Sequence, residues 1–594
     1  MSSASNPKAV LVKSPSHNPA RRRLLLNAAG GAAVAALGTG TATAAAPSKW
    51  DREADIVCVG SGAAGLTAAL FAASLGNRVL VLEKGPITGG TTRKSGGVFW
   101  IPNHHWLREQ GIEDRKADCM QYLCRMAYSE RYRPVGPTLG LDPPAYALLE
   151  AFYDNGYKMV DRLRELGALR IAPFRMWQLQ RPEPDYQDHL PQDKVSKGRS
   201  LSVKKSDGSD GAGADYIDQL VEHLQSRGVE ILTDHAAVNL VRNARNEIVG
   251  LEVDTEDGRI AVRSRKAVIF GSGGYAHNLE YVRNYQRIFL YGSCAVPTAT
   301  GDFITMAGAV GARMGHLHTA WRSQALIEEA IVSRSLARCV DMPPGDSMFM
   351  VNKHGVRAVN EKRNYNDRTE AHLTYDPNNG EFPNQLLFIV YDQRTAELYA
   401  SGHPLPSTPT GAPYVIAGAD LDELARNISA RMEKIREHIG TVQLSPDFAV
   451  NLKATCKRFN EFALAGVDPE FNRGAAEYDR AWALFFQPPR TDTRWPIKSE
   501  MPNPAMHPLQ PKGPYYALIA GPGALDTSGG PAIDARARVI DTAGQPIPGL
   551  YGAGNCIASP SREAYFGAGG TIGPAMTFGY IAATNAHQEP PKET

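Results

Sequence analysis

Asp55-Ile56-Val57-Cys58-Val59-Gly60-Ser61-Gly62-Ala63-Ala64-Gly65 is the stretch on which the fold of this chain turns. The five residues before the first glycine form an apolar run that reads as a buried parallel strand. From Leu66 to Leu75 apolar residues recur at helical spacing, and Gly76 follows as a C-cap residue. Asn77 to Leu82 reads as a second strand, ending on Glu83. Strand, glycine loop, helix, strand and acidic end, in that order within about thirty residues, are the pattern of a dinucleotide-binding unit. Gly60 permits the tight turn, Gly62 lets backbone approach a pyrophosphate, and Gly65 lets helix and strand pack closely. The helix start at Ala63 and Ala64 offers unpaired N–H groups and a positive dipole end to phosphate. Glu83 stands where an acceptor meets ribose hydroxyls, and Lys84 beside it completes the expected contacts at this end.

Working outward, Gly89-Gly90-Thr91-Thr92 and Ser95-Gly96-Gly97 form a second glycine-rich wrap. They lie where a flavin extending from the first loop would run, which favours FAD over NAD; Gly90, Thr91, Ser95, Gly96 and Gly97 are its candidate contacts. No histidine falls between Gly89 and Gly97, so the flavin is expected to be held non-covalently. Gly228 to Thr233, Glu247 to Asp254 and Lys266 to Phe270 read as further strands of the same sheet. Val238 and Gly273, the latter in the Gly271–Gly274 run, are candidate cofactor contacts. Near the end, the strand Gly549–Gly552 runs into a turn at Asn555, and Gly570–Met576 starts a helix. The N–H groups at Ile572 are expected to face the flavin pyrimidine edge. The fold class is therefore α/β, a Rossmann-like FAD-binding domain that is discontinuous, with an inserted α+β substrate-capping domain. The expected boundaries are 50–280 and 495–583 for the two parts of the FAD domain and 281–494 for the cap. Leu421 to Ile439 reads as an amphipathic surface helix of that cap.

Bulk properties narrow the function classes. A chain of 594 residues with 43% hydrophobic and 21% charged residues is an ordinary globular protein of more than one domain. A formal net charge of +2 gives no reason to expect a nucleic-acid partner. Seven cysteines show no C-x-x-C or zinc-type spacing, so no metal, haem or iron–sulfur centre is expected. Residues 1–46 are a different object. Arg21-Arg22-Arg23 leads into Leu24-Leu25-Leu26, an Ala/Gly-rich run, and Ala42-Thr43-Ala44, the arrangement of a twin-arginine export signal. Gly30, Gly31, Gly38 and Gly40 make the run too weakly apolar for a transmembrane anchor. A periplasmic or otherwise exported location is the resulting expectation.

Two segments carry a family resemblance. Ser95-Gly96-Gly97 with Trp100-Ile101-Pro102, and above all Tyr565-Phe566-Gly567-Ala568-Gly569-Gly570-Thr571-Ile572-Gly573-Pro574-Ala575-Met576, resemble the 3-ketosteroid Δ1-dehydrogenases of the fumarate reductase/succinate dehydrogenase superfamily. The resemblance implies that the Tyr565 hydroxyl and the Gly569 N–H hold a substrate keto oxygen. It implies that Tyr365, following Asn360-Glu361, is the catalytic base and that Tyr186 assists it. The implied reaction removes a proton beside the ketone and passes a hydride from the adjacent carbon to flavin N5. An unperturbed tyrosine titrates near pH 10, and Tyr186, Lys362 or Arg363 is expected to lower the pKa of Tyr365. The chain departs from the family's Tyr-Pro-Gly-Pro-Gly-Ala pattern at Phe566, Ala568 and Gly570. Its basic Lys362-Arg363 pair suggests a substrate more polar or acidic than a plain steroid. A fumarate-reductase-like enzyme reducing an unsaturated acid, or a 3-oxosteroid 4-dehydrogenase, is the alternative. The former class uses a carboxylate-binding arginine, and only Arg562 stands near the decisive segment. With no separate nicotinamide site in the sequence, an external electron acceptor such as a quinone is expected.

Overall fold

In the computed structural model, residues 47, 49–485, 495 and 500–593 are described. The export-signal reading falls on residues 1–46 and so lies outside them. The strand Arg52–Val59 sits in the middle of an eight-stranded sheet. Val79–Leu82 and then Glu230–Leu232 lie parallel on one side, Gly258–Phe270 and then Pro546–Gly552 parallel on the other. The register sets Ile56 opposite Val79 and Val59 opposite Phe270. Ala236–Arg242 and Ile248–Thr255 add an antiparallel meander to the long Gly258–Phe270 strand, and Arg538–Ile540 edges the far side.

The predicted βαβ unit forms as expected. The helix Ala63–Ser74 has ten buried residues of twelve because it is covered by the sheet on one side and the C-terminal helix Ile572–Gln588 on the other. That double burial explains why its sequence is apolar all round rather than striped. Gly60 is in the left-handed region (φ +98°), and a Cβ on Gly65 would stand 1.9 Å from the Gly60 carbonyl oxygen. The glycine pair therefore lets helix and strand meet at backbone distance.

A second sheet of antiparallel strands forms the cap: Ala325–Leu326, Tyr515–Gly521, Leu387–Asp392 and Met348–Val351 in that order, with Ile416–Gly418 also on Tyr515–Gly521. Along Leu387–Asp392 the side chains alternate. Phe388 and Val390 pack under the helices Leu421–Lys434 and Phe448–Ala465, and Leu387, Ile389 and Tyr391 pack on the other face. With both faces covered, the strand is a continuous apolar run with no polar alternation. Leu424, Ala425, Ile428 and Met432 are the buried stripe of the predicted amphipathic helix.

Two boundaries move. Tyr515–Gly521, expected in the second part of the flavin domain, is the central strand of the cap sheet. The helix Asp302–Ala309, expected in the cap, packs its Phe303, Met306 and Ala307 into the flavin-domain core. Chain order could not show either, because both segments are crossings whose partners lie far away in sequence. Among the described residues, no helix is long and apolar enough to cross a membrane.

Candidate active site

At the carboxyl ends of the central strands, where the strand order reverses, the two sheets enclose a cavity of about 950 Å³. Its flavin-domain wall is laced from the two glycine-rich segments. Glu83, 7% exposed, accepts from the Ser61 N–H at 3.0 Å and the Ser61 hydroxyl at 2.5 Å, and from Gly85 N–H at 2.7 Å. Ser61 Oγ also accepts from Gly89 N–H at 2.7 Å, and Thr92 Oγ1 from Ala63 N–H at 3.1 Å. Lys84 Nζ donates to Thr300 Oγ1 and pairs with Asp302 at 2.9 Å. Asn555 accepts from Trp321 Nε1 and donates to Asp526, whose carboxyl burial lifts to about 6.

Gly60, Gly62, Ala63, Ala64, Glu83, Lys84, Gly90, Thr91, Ser95, Gly96, Gly273, Asn555 and Ile572 all reach this cavity. Three expected contacts do not. Gly65 is spent on the helix–strand contact just described. Gly97 instead turns the chain against Ala212, whose carbonyl carbon would lie 2.7 Å from an added Cβ. Val238 lies on the strand Ala236–Arg242 at a register break between Ala237 and Asn239, and its neighbour Ala237 lines the cavity instead. No strand was expected there, so the face could not be assigned.

The wall facing the cap gathers the candidate catalytic residues. Tyr186, Tyr365, Tyr565 and Gly569 all line it, although they come from segments up to 383 residues apart. Tyr186 Oη donates to Tyr365 Oη at 2.9 Å, and the rings of Tyr186, Tyr365 and Tyr565 lie 5.1–5.5 Å apart. Backbone contacts fix this meeting: Tyr186 N–H donates to the Phe566 carbonyl, and Asn364 Nδ2 donates to the Tyr186 carbonyl. Tyr365 is the first residue of the short helix Tyr365–Glu370, capped by Asn364, whose side chain accepts from Asp367 N–H at 3.0 Å. Gly569, at φ +86°, brings its backbone onto Phe99, where a Cβ would stand 2.3 Å from the Phe99 Cα. Among the described residues its N–H makes no hydrogen bond, so that donor is available to a substrate oxygen.

Burial pushes the Tyr365 hydroxyl well above its ordinary value, the nearby Tyr565 and Asp341 add to the rise, and the Tyr186 hydrogen bond opposes it. Burial also raises Tyr565, to about 12, against hydrogen bonding with Tyr365 and Thr571. Lys362 and Arg363 do not help Tyr365 as expected. Lys362 Nζ is buried on the carbonyls of Pro343 and Gly345, and Arg363 turns to His189. The neighbouring Glu361 is gripped by Arg357 and Arg473 at 2.8–3.0 Å. Burial alone would raise Glu361, but those two guanidinium groups hold it at about 2, anchoring the turn that leads into Tyr365.

Several cavity residues escaped the sequence reading. Asp341 is positioned by Ser323 Oγ at 3.0 Å and by Arg368, which grips its carbonyl. Phe174, Trp177, Trp482 and Phe485 form an aromatic sleeve, with successive ring centroids 5.0–5.7 Å apart. Glu183, 3% exposed, accepts from Trp482 Nε1 at 3.0 Å within that sleeve. None of these sits in a local motif, so no sequence signal marked them beyond the three-residue spacing of Glu183 and Tyr186.

Burial raises the Glu183 carboxyl from 4.5 to about 8. Between those values the folded chain holds a proton that the unfolded chain has lost, so stability present below about pH 4.5 is lost as pH rises towards about 8. The urea midpoint of wild type relative to Glu183→Gln is therefore expected to fall from about pH 5 to about pH 8.5. A constant difference would mean that Glu183 ionises in the fold as it does in water.

Arg562 meets Glu130 at 2.6 Å and is not on the cavity wall, so it supplies no carboxylate clamp there. The cavity's cradle suits FAD: a glycine loop at a helix start, a second wrap laced to it, and a buried acidic residue at the strand end.

Comparison with known proteins agrees with this reading. The family model described as the FAD binding domain matches residues 55–572. The chain is 31% identical to the 4-oxocyclohexanecarboxylate 2-dehydrogenase of Sinomonas cyclohexanicum, over 89% of this chain and 92% of that protein. It is also 31% identical to a 3-oxosteroid 1-dehydrogenase of Mycobacterium tuberculosis, over 90% and 98%. The crystal structure of 3-ketosteroid Δ1-dehydrogenase from Sterolibacterium denitrificans superposes with a TM-score of 0.73, covering 90% of this chain and 99% of that one at 24% identity. The chain therefore belongs to the FAD binding domain family, among the flavoprotein relatives of the 3-oxosteroid 1-dehydrogenases, and FAD is its cofactor.

Proposed function

We propose that this enzyme introduces a C=C bond beside a cyclic ketone, as a 3-oxosteroid 1-dehydrogenase does. The observation that carries the reading is the convergence of Tyr186, Tyr365, Tyr565 and Gly569 on the cavity that the FAD loop also lines. Tyr565 Oη and the Gly569 N–H are two donors for one ketone oxygen, and they stabilise the enolate that develops as the adjacent C–H bond breaks. Tyr365 takes that proton, and Tyr186, hydrogen-bonded to it, stabilises the tyrosinate form. Bound FAD supplies the hydride acceptor. The aromatic sleeve offers stacking surface to a flat, multi-ring substrate and excludes water from the developing charge.

A second reading, a smaller cyclic oxo acid, is favoured by one group. Arg338 lines the cavity, where its charge opposes the burial-driven rise of the Asp341 carboxyl. Anaerobic bleaching of the bound flavin discriminates the two. Bleaching by 3-ketosteroids supports the first, bleaching by a 4-oxocyclohexanecarboxylate alone supports the second, and bleaching by neither defeats both. Reoxidation of reduced enzyme by fumarate-type acids would instead favour the acid reductase.

Tyr565→Phe is expected to lower kcat by about 10²–10³, the loss that follows removal of one oxyanion donor. An unchanged rate would remove Tyr565 from that role. We further propose export by the twin-arginine route and a quinone or similar external acceptor. Arg21–Arg23 with the following apolar run support the first. A reporter fused after residue 50 should be exported, and export that survives Arg22→Lys with Arg23→Lys would defeat the route. Reoxidation of substrate-reduced enzyme by a soluble quinone, but not by NAD, tests the second.

A further inference from the structure

Cys294 and Cys339 place their sulfur atoms 2.8 Å apart on the wall of the cavity. The contact is held by the backbone on either side. Ser293 N–H donates to the Arg334 carbonyl and Leu336 N–H to the Ser293 carbonyl, both at 2.8 Å, so the two segments run as a short parallel ladder. Cys294 N–H is bonded to the Ala524 carbonyl at 3.0 Å, and Val340 N–H to the Gln324 carbonyl at 2.7 Å. A disulfide bond is about 2.05 Å long, so closure asks for less than about 1 Å of movement from the 2.8 Å contact. Among the described residues no other pair of cysteine sulfurs is in contact.

The catalytic reading uses neither thiol. We propose that Cys294 and Cys339 are a dithiol modification site, closed to a disulfide by exchange with a low-molecular-weight disulfide entering the cavity. Cys294, the more exposed of the two, is the attacking residue, and Cys339 is 1% exposed. The Cys294 thiolate attacks one sulfur of the incoming disulfide, forming a mixed disulfide and releasing one thiolate. Cys339 then gives up its proton and attacks Cys294 Sγ, expelling the second thiolate. The two protons lost by the cysteines end on the two released thiols. Two protein thiols are oxidised to one disulfide, and one small disulfide is reduced to two thiols. Contact with Cys294 and burial hold the Cys339 thiol well above its ordinary value, so Cys339 is the poorer first attacker of the two.

The bond would tie the segment carrying Arg338 and Asp341 to the loop that meets Ala524, closing a loop of 45 residues across the cavity wall. A cross-link of that span constrains the unfolded chain. The oxidised enzyme should therefore melt at a higher temperature, and dithiothreitol should reverse the rise. The proposal is independent of the ketone reading and of export.

The test uses the full-length FAD-loaded protein incubated with oxidised glutathione and then alkylated under denaturing conditions. Alkylatable thiols should fall from the seven in the chain to five, and peptide mapping should join Cys294 to Cys339 in one species about 2 Da lighter than its two reduced peptides. Cys339→Ser should trap a glutathione adduct on Cys294, and Cys294→Ser should leave the thiols unreacted. Seven thiols after treatment of wild type, or a wild-type adduct at Cys294 that never resolves, would overturn the proposal.

Discussion

Replacing Tyr365 by phenylalanine should cut kcat by about 10²–10⁴, the range for removing a general base, while the purified enzyme keeps its FAD. The substitution deletes one oxygen and leaves the ring, so the packing of Tyr365 against Tyr186 and Tyr565 survives. The candidate flavin contacts come from the Gly60 loop, the second wrap and the C-terminal helix start, and none of them leans on the Tyr365 hydroxyl. Substrate affinity should change little, because the two proposed ketone donors, Tyr565 and Gly569, are untouched. The loss should therefore fall on kcat and on the rate of anaerobic flavin bleaching. A Tyr365→Phe enzyme turning over near the wild-type rate would remove Tyr365 as base. Tyr186→Phe makes an informative companion. The Tyr186 hydrogen bond is what opposes the burial-driven rise at Tyr365, so its loss should move the rising limb of the pH–rate profile to higher pH. A profile unchanged by Tyr186→Phe would show that the 2.9 Å contact plays no part in the proton transfer.

The largest stability effect is expected at Arg199. Its guanidinium is wholly buried, bidentate to Asp114 at 2.8 Å and bonded to Asp185 at 2.6 Å and Asp193 at 2.7 Å. Trp100 Nε1 adds a bond to Asp185 at 2.9 Å. Burial drives the Asp185 carboxyl well above the usual carboxylate range, Asp193 drives it further, and Arg199 together with the Trp100 hydrogen bond opposes both. Arg199→Met would leave three buried carboxylates without their cation, and removing one partner of a buried ion pair costs about 3–5 kcal/mol. Because Asp185 immediately precedes Tyr186, the same change should displace Tyr186 and lower turnover in whatever protein still folds. Arg199→Lys should recover only part of the loss, since a point charge cannot reproduce a planar fork shared by three carboxylates. Denaturant midpoints and flavin content measure the outcome. A Met variant as stable as wild type would mean that the cluster contributes nothing net.

The flavin half of the molecule was legible because its signals are local. A strand, Gly60, Gly65, a helix and Glu83 interact within one supersecondary unit, and glycine is demanded there by backbone contact that no side chain could share. Tyr565, Gly569 and Tyr365 were legible through resemblance, since each lies inside a recognisable run. The placements that local sequence did not show share a different cause. Val238 lies on a strand whose face is chosen by pairing with Ile248–Thr255 rather than by its own neighbours. Tyr515–Gly521 joins the cap because Leu387–Asp392 and Ile416–Gly418 lie beside it in space. Lys362 and Arg363, close to Tyr365 in sequence, point elsewhere because buried carbonyls and His189 satisfy them.

By itself, then, the order of residues from Asp55 to Glu83 determined that a dinucleotide is held and where, since hydrogen bonds and close contacts over so short a span leave the chain few alternatives. Only the tertiary structure decided what faces the bound cofactor. Tyr186, Tyr365 and Tyr565, the sleeve around Glu183, the charge of Arg338 and the Cys294–Cys339 contact are brought together by packing the cap against the flavin domain. Contacts between segments hundreds of residues apart leave no period or spacing behind, because burial rewards the meeting of surfaces and is indifferent to the length of chain between them.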